Sequence, residues 1–370
     1  VDLSIRRGET FALLGESGCG KSMTALSLMR LLPASARIVS GTVSLAGTDL
    51  LQLSEARMRA IRGGRMGMIF QEPQTSLNPV LTVGDQIGEA VQVHEGRARS
   101  AVRARVIELL AAVGIPDPAR RVDEYPHQLS GGMKQRVMIA IALAGDPQIL
   151  IADEPTTALD VTIQAQVLRL LKDLQTQTGL AVLVITHDLG VVAETADRLA
   201  VMYAGQIVET GPVAGFFAGP AHPYSRKLMD SLPSPEKRSA SLAVIPGRVP
   251  PLDQVFTGCR CADRCDRVMG VCRQRAPGWH RPSPRHGVRC HLWAEGRPEL
   301  GQGPALPAGA GGVGGNAREG SLLTVDRLQV HFPVHRGVFR RVVGQVKAVD
   351  GVDMELRSGR TLALVGESGC

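Results

Sequence analysis

Apolar residues in the first half of the chain follow two alternating patterns. Short unbroken runs at Phe11–Leu14, Ile149–Ala152 and Ala181–Ile185 are typical of strands buried on both faces of a parallel sheet. Between and after them, Ser100–Val113 and Ile163–Gln177 carry apolar residues at helical spacing. The alternation of the two patterns predicts an α/β fold.

A stretch that contains Pro and Gly, residues 72–84, interrupts this alternation and precedes a mostly helical section at about 85–145. We interpret this section as a helical subdomain inserted into the α/β core. The longest apolar run of the chain, Val137–Gly145, has nine residues, whereas a membrane-spanning helix needs roughly 18 to 20. We therefore expect no transmembrane segment.

The two ends of the sequence carry no recognisable targeting feature. The chain does not begin with Met, and neither a secretory signal nor a lipidation motif is present. We expect a cytosolic protein, and we expect the sequence to be a fragment of a longer one.

A repeat relates the start of the chain to its end. Residues 1–19 and 352–370 are identical at 12 of 19 aligned positions, and residues 301–320 between them are rich in Gly, Ala and Pro, as flexible linkers are. These observations predict a first domain at 1–215, a Cys-rich extension at 216–300, a linker at 301–320 and the truncated start of a second copy at 321–370.

Composition and charge narrow the class of protein. Hydrophobic residues make up 44% of the chain and aromatic residues only 3%, which suits an α/β protein and excludes an intrinsically disordered one. Residues 226–300 contain 14 basic and 7 acidic side chains, which accounts for the whole formal charge of +7. Because this surplus is local and coincides with five of the seven cysteines, it does not indicate a nucleic-acid-binding surface.

The sequence after the first predicted strand matches the phosphate-binding loop G-x-x-x-x-G-K-[ST]. Small residues allow backbone N–H groups to approach phosphate, a lysine neutralises its charge, and a hydroxyl can bind Mg²⁺. A Gly-rich turn with a chance lysine is the alternative, but the flanking strand and helix argue against it. The eight residues are Gly15, Glu16, Ser17, Gly18, Cys19, Gly20, Lys21 and Ser22.

A second candidate is the apolar strand that starts at Ile149 and ends in Asp153 and Glu154. The carboxyl ends of parallel strands share one edge of a sheet, so both carboxylates should lie beside the phosphate loop. Asp153 would hold Mg²⁺ through water, and Glu154 would act as general base on the attacking water. Alone, an Asp-Glu pair after a strand is more often a solvated turn.

A third candidate, Leu129–Arg136, begins an apolar helix with Ser130, Gly131 and Gly132 at its positive end. The hydroxyl and the two bare backbone positions could bind an anion. Taken alone, the same residues could be only an N-cap and a turn.

Together these segments resemble the ATPase subunits of ABC transporters. The signature sequence LSGGQ of that family is LSGGM here, at 129–133. The segments IFQEPQTSLNP at 69–79, ADEPTTALDVTIQAQVL at 152–168 and HPYSRKLMDSLP at 222–233 are similar to those of dipeptide, oligopeptide, nickel and glutathione importers. The resemblance covers residues 1 to about 300 and again 321–370, and it implies a tandem protein with two ATPase domains.

The resemblance assigns further roles by motif. Gln71 matches the Q-loop that contacts Mg²⁺ and the nucleophilic water, Asp160 matches the D-loop that crosses to a partner domain, and His187 matches the switch histidine that senses the γ-phosphate. ATP and Mg²⁺ are the implied cofactors. Each ATP would lie between one domain's phosphate loop and Ser130 and Gly132 of the other.

The implied partners are a second ATPase domain, two transmembrane permease subunits and, indirectly, a substrate-binding protein. The chain would lie peripherally on the cytoplasmic face of the inner membrane. A soluble ABC ATPase that acts on ribosomes or DNA is the alternative, but the HPY-containing tail and the lack of a long coiled-coil insertion favour the importer, which has no nucleic-acid partner.

The cysteines of the extension have a spacing that leaves three states open. Cys259, Cys265, Cys272 and Cys290 are candidates to hold an iron–sulfur cluster, whose negative charge the surrounding arginines would stabilise. Zinc sites usually bring their ligands in close pairs, and here close pairs involve the extra Cys261. Free reduced thiols are the third state, because disulfides are rare in the cytosol. The resemblance favours a four-iron four-sulfur cluster.

Overall fold

The computed structural model describes residues 1–96, 98–157, 159–231, 245–251, 255–294, 321–336 and 341–357. The predicted linker, 301–320, and the end of the second copy, 358–370, lie outside the described residues. Chain contacts define two units, of which the first comprises residues 1–159 and 163–298 and the second residues 160–162 and 299–370.

The elements of the first unit alternate between strand and helix over most of its length. Its strands are β1 (Thr10–Leu14), β2 (Ser44–Leu45), β3 (Thr48–Asp49), β4 (Met66–Ile69), β5 (Ile149–Asp153), β6 (Ala181–Thr186), β7 (Arg198–Tyr203), β8 (Gln206–Pro212), β9 (His280–Ser283) and β10 (His286–Val288). The helices of the described residues are α1 (Lys21–Leu28), α2 (Glu55–Ile61), α3 (Pro73–Ser76), α4 (Val83–Glu95), α5 (Arg99–Ala112), α6 (Pro118–Arg121), α7 (Gly131–Leu143), α8 (Val161–Thr178), α9 (Leu189–Thr195), α10 (Val213–Ala218), α11 (Pro223–Asp230) and α12 (Gly270–Gln274).

Eight strands form one mixed sheet in the order β4-β5-β6-β1-β7-β8-β10-β9. The five strands from β4 to β7 are parallel, and β8, β10 and β9 continue the sheet in antiparallel pairs. The three strands predicted from apolar runs are therefore present as β1, β5 and β6, and β6 and β1 lie next to each other. The α/β expectation is confirmed.

Both faces of the parallel strands are buried. In β5, Leu150 and Ala152 pack into a cluster with residues of α4, α5, α7 and α8, whereas Ile151 packs on the opposite face with residues of α1 and α2. In β6, Val184 and Ile185 divide in the same way. Side chains alternate between the faces of a strand, so an unbroken apolar run is what a sheet covered on both faces requires.

The predicted helical section is present as α4 to α7. Helix α4 begins with a capping box, in which the Thr82 hydroxyl accepts a hydrogen bond from the backbone N–H of Asp85 and the Asp85 carboxylate accepts one from that of Thr82. No helix among the described residues is long and apolar enough to cross a membrane.

The extension does not form a unit of its own. Its strand β10 pairs with β8, and a hydrogen bond from the Arg289 backbone N–H to the Val208 carbonyl continues this pairing. The buried carboxylate of Glu209 on β8 accepts hydrogen bonds from the backbone N–H groups of Ala221 and His222 at 2.7 and 2.8 Å, and it lies 2.7 Å from Nε2 of His286. One side chain thus ties the extension to the α/β core.

In the second unit, β11 (Ser321–Arg336) and β12 (Arg341–Arg357) form an antiparallel pair. Residues 352–357, which repeat the start of the chain, lie in β12, whereas residues 1–6 of the first copy are not in a strand. The two copies therefore differ in local structure over the six repeated positions that are described in both.

Candidate active site

The segment Gly15–Ser22 runs from the end of β1 into the first turn of α1, and its Gly15 packs against β7. A Cβ atom on Gly15 would lie 2.4 Å from the carbonyl oxygen of Met202, so no larger residue fits there without a shift. Gly20 has a φ of 105° in the left-handed region and precedes the first turn of α1. The loop thus closes tightly around the N-terminal end of a helix, where backbone N–H groups attract anions.

Lys21 is buried, and its ammonium group is bound by the loop itself. Its Nζ atom donates hydrogen bonds to the carbonyl oxygens of Gly15 at 2.7 Å and Glu16 at 3.0 Å. The positive charge is thereby held over the centre of the loop, where it can neutralise an incoming phosphate group. Cys19 is fully buried, and its carbonyl accepts a hydrogen bond from the N–H of Gly205 at 2.8 Å.

Asp153, the last residue of β5, lies beside the loop. The hydroxyl of Ser22 donates a hydrogen bond to its carboxylate at 3.1 Å. Burial raises the pKa of Asp153, while the hydrogen bond from Ser22 and the charge of Lys21 oppose that rise. A carboxylate and a hydroxyl side by side are oxygen ligands of the kind that Mg²⁺ prefers.

Glu154 is the centre of a hydrogen-bonded group. Its Oε2 accepts from the amide of Gln71 and from the hydroxyl of Thr157, both at 2.9 Å. Nδ1 of His187 lies 3.1 Å from Oε1, a contact that requires a proton on that nitrogen, because a carboxylate only accepts. The structure therefore brings together Gln71, Glu154 and His187, which lie 83 and 33 residues apart in sequence.

The backbone and charge of Glu154 are unusual for a glutamate. Its φ is 49°, in the left-handed region that non-glycine residues rarely adopt, and its backbone N–H donates to the Ile185 carbonyl of β6 at 2.9 Å. Burial would raise the pKa of its carboxyl, but the hydrogen bonds from His187 and Thr157 lower that pKa below its ordinary value. The side chain is thus ionised and held in one position.

The third candidate segment begins α7. Ser130 is the N-cap of α7, and its hydroxyl accepts a hydrogen bond from the backbone N–H of Met133 at 3.3 Å. This is the contact expected if the segment is only an N-cap and a turn. Gly131 is exposed, and Gly132 is buried so closely that a Cβ atom would lie 2.7 Å from Cγ2 of Ile163. Asp160 directly precedes α8. The exposed start of α7 leaves room for an anion from outside the chain.

The candidate cluster ligands are neighbours in the extension. Burial, together with the charges of Asp266, Cys259 and Cys272, raises the pKa of Cys265 to about 11. Burial and the charges of the neighbouring cysteines raise the pKa of Cys290 to about 12. The N–H of Cys259 donates to the carbonyl of Cys272 at 2.7 Å. Within the described part of the chain, no group of three or more His, Cys, Asp or Glu side chains could hold a metal ion.

Sequence reasoning missed several residues that contact the site. Thr157 binds Glu154 from within the sequence DEPTTALD, where a hydroxyl three residues after the carboxylate was the available signal. Arg264 and Tyr224 contact Glu16 of the loop across more than 200 residues. No local pattern indicates such a contact.

The fold and this site define a P-loop ATPase. Models of two families match the chain: ABC transporter at residues 1–157 and oligopeptide/dipeptide transporter, C-terminal region, at residues 208–272. The chain belongs to the ATP-binding proteins of the ABC transporter family, which hydrolyse ATP.

Three curated relatives illustrate the match. A probable peptide ABC transporter ATP-binding protein of Sinorhizobium fredii is 54% identical over 78% of this chain and 87% of its own length. The dipeptide transport ATP-binding protein DppD of Bacillus subtilis is 51% identical over 79% of this chain and 88% of its own. The oligopeptide transport ATP-binding protein OppD of Mycobacterium tuberculosis is 45% identical over the whole chain, which spans 61% of its length.

Solved structures give the same fold. The dimeric ATP-binding cassette MJ0796 in a post-hydrolysis state, bound to ADP and Pi, has a TM-score of 0.52 and 31% sequence identity. The alignment covers 58% of this chain and 89% of that one. The cassette cbiO1 from Clostridium perfringens has a TM-score of 0.52 at 29% identity and is matched over 59% of this chain and 82% of its own.

Proposed function

We propose that this protein powers an ABC importer for peptides by binding and hydrolysing ATP on the cytoplasmic face of the plasma membrane. The observation that carries the proposal is the hydrogen-bonded group of Gln71, Glu154 and His187 beside the phosphate loop. The names of the relatives, which are peptide, dipeptide and oligopeptide transport proteins, support the peptide class.

In this proposal the phosphate loop and the ends of β5 and β6 each have a task. Lys21 exchanges its carbonyl partners for the β- and γ-phosphates, and the loop's N–H groups hold the phosphate chain. Ser22, Asp153 and Gln71 would hold Mg²⁺, which when bound neutralises phosphate charge. Glu154 orients the attacking water and accepts its proton, and His187 holds Glu154 and contacts the γ-phosphate.

The signature segment acts on a second ATP. We infer that Ser130, Gly131 and Gly132 contact the nucleotide of a partner ATPase domain, with Asp160 at the same junction. The dimeric state and bound ADP and Pi of the related cassette MJ0796 support this arrangement. Residues 321–370 would begin that partner, as the internal repeat and the longer OppD relative suggest.

We propose that Cys259, Cys265, Cys272 and Cys290 bind a four-iron four-sulfur cluster. The proposal is supported by the spacing of the four cysteines, which does not bring them in the close pairs that are usual at zinc sites. The thiols would hold the cluster, and the arginines of the same stretch would stabilise its negative charge. Anaerobic preparation should yield bound iron and sulfide with visible absorption, and protein that lacks all three contradicts the assignment.

One experiment separates the importer from its alternative. Affinity purification of the tagged protein from membranes should recover two permease subunits, and cells without the protein should lose uptake of labelled di- or oligopeptides. If the cells lose uptake of labelled glutathione or nickel instead, the substrate is that solute and not a di- or oligopeptide. Recovery of ribosomes or DNA without permeases would overturn the importer proposal.

A further inference from the structure

Glu16, the second residue of the phosphate loop, is held from three sides. Its carboxylate accepts two hydrogen bonds from the Arg264 guanidinium, at 2.9 and 3.0 Å. Its backbone N–H donates to the hydroxyl of Tyr224 at 3.2 Å, and its carbonyl accepts from Nζ of Lys21 at 3.0 Å. Two of these three partners come from the C-terminal extension.

The Arg264 guanidinium is held in place by residues outside the phosphate loop. Its side chain is 6% exposed, its Nε donates to the Pro246 carbonyl at 2.8 Å, and it lies over the Tyr203 ring at 5.8 Å. The carbonyl of Arg264 accepts a hydrogen bond from Lys227 at 2.6 Å. Because Arg264 is held in this way, its two hydrogen bonds fix the position of the Glu16 carboxylate, which a mobile surface ion pair would not do.

Tyr224 is equally constrained. The side chain is 1% exposed and packs edge-on against Tyr203, with ring centroids 4.6 Å apart. It lies in the first turn of α11, where the His222 ring nitrogen caps the helix by accepting from the backbone N–H of Tyr224. The hydroxyl therefore meets the loop backbone at a fixed position.

The charge of Glu16 makes these contacts matter for ATP. A carboxylate in a loop that receives a triphosphate repels the ligand, and two like charges a few ångströms apart repel strongly where water is partly excluded. Arg264 cancels that charge without competing for the phosphates, because both ends of its guanidinium fork are used by Glu16.

We propose that Arg264 and Tyr224 are positioning residues for ATP binding, which act through Glu16. The extension supplies both, so the affinity of the loop for ATP depends on an element more than 200 residues away in sequence. The inference rests on the proposed assignment of Gly15–Ser22 as the ATP-binding loop.

The test compares variants of the full-length protein by photolabelling with 8-azido-ATP over a concentration series. Label is quantified on peptides from residues 1–128, which leave out the signature segment at 129–133 that we propose contacts the partner's ATP. Arg264→Gln should weaken half-saturation about fivefold or more, and Tyr224→Phe, which removes one hydroxyl, should weaken it by a smaller factor. The matched control is Arg273→Gln, which breaks an exposed ion pair with Asp263 in the same extension.

A second substitution distinguishes positioning from simple loss of structure. In Arg264→Gln, the added change Glu16→Gln removes the unpaired charge and should recover part of the lost affinity. A merely structural role predicts no such rescue. The unfolding temperature without nucleotide identifies variants that fail to fold, and in that case Tyr224→Phe carries the test alone.

The outcomes of the inference and of the proposed function are separable. Lys21→Ala should abolish labelling of residues 1–128, and if it does not, the loop assignment itself is wrong. If Lys21→Ala abolishes labelling while Arg264→Gln and Tyr224→Phe bind ATP like Arg273→Gln, only the positioning role is overturned. Absence of rescue by Glu16→Gln in a folded Arg264→Gln protein overturns it as well.

Discussion

Nδ1 of His187 lies 3.1 Å from Oε1 of Glu154, so that the residue after β6 holds the residue after β5. Neighbouring parallel strands place their carboxyl ends side by side, and β5 and β6 are such neighbours. The contact keeps the carboxylate ionised and aimed at one position, which is what a general base requires before its substrate arrives.

Glu154→Gln should retain ATP binding and lose most turnover at this site. The amide has the shape of the carboxylate but accepts no proton from water, and general-base catalysis contributes about 10²-fold or more. Phosphate release in the full-length protein, with the partner site inactivated, measures the loss. Glu72→Gln, which changes an exposed neighbour of Gln71, is the control. Undiminished turnover would remove Glu154 from the role.

The acid stability of the site should depend on His187. A carboxyl whose pKa is lowered in the folded state stabilises the fold above its unfolded pKa of about 4.3, and this stabilisation is lost as the pH falls through the folded pKa. The hydrogen bond from His187 helps to lower that pKa, so in His187→Ala the stabilisation above the unfolded pKa should be smaller and its loss should be complete at a higher pH. Urea unfolding of both proteins between about pH 3 and pH 7 measures the shift. Parallel pH profiles would show that His187 does not set this pKa.

Glu209→Gln should loosen the extension. The buried carboxylate accepts two backbone hydrogen bonds and contacts His286, and the amide cannot accept all of them. We expect a loss of about 2 kcal/mol in unfolding free energy. Urea unfolding gives the value, and limited proteolysis should cut within residues 213–294 sooner than in wild type. Glu55→Gln, which breaks an exposed pair with Arg62, should change neither readout. An unchanged cleavage rate contradicts this anchoring role.

Gly131→Ala tests whether the signature segment acts on another domain's ATP. A Cβ there would meet only Leu159, at 3.9 Å, so the chain should fold and its own loop should bind ATP normally. Turnover of the full-length protein should fall about tenfold, because the methyl group obstructs the partner's nucleotide at the start of α7. Gly215→Ala, where a Cβ meets nothing within 4 Å, is the control. Full turnover in Gly131→Ala would leave Ser130 as an N-cap alone.

The parts of the site that a local pattern encodes could be predicted from sequence. Lys21 begins α1 and Asp153 ends β5, as the apolar runs before them indicate. A motif of eight residues fixes its own backbone geometry, because the glycines that permit the close approach to β7 are inside it.

Contacts between distant residues could not be predicted in this way. Arg264 is one of 14 basic residues in a charged stretch, and nothing in its immediate sequence singles it out as the partner of Glu16. The same holds for β10, whose three residues are too few to show a period-two pattern, so the sequence does not predict its pairing with β8.

The pairing of β8 with β10 also covers a backbone edge of the sheet. In the described sheet, the extension lies along the side of β8 that faces away from β7. A chain cut before α10 would leave that row of backbone N–H and C=O groups without partners, and such an edge recruits strands from other molecules. In the intact chain, β10 of the Cys-rich tail pairs with Glu209 and Thr210 of that edge.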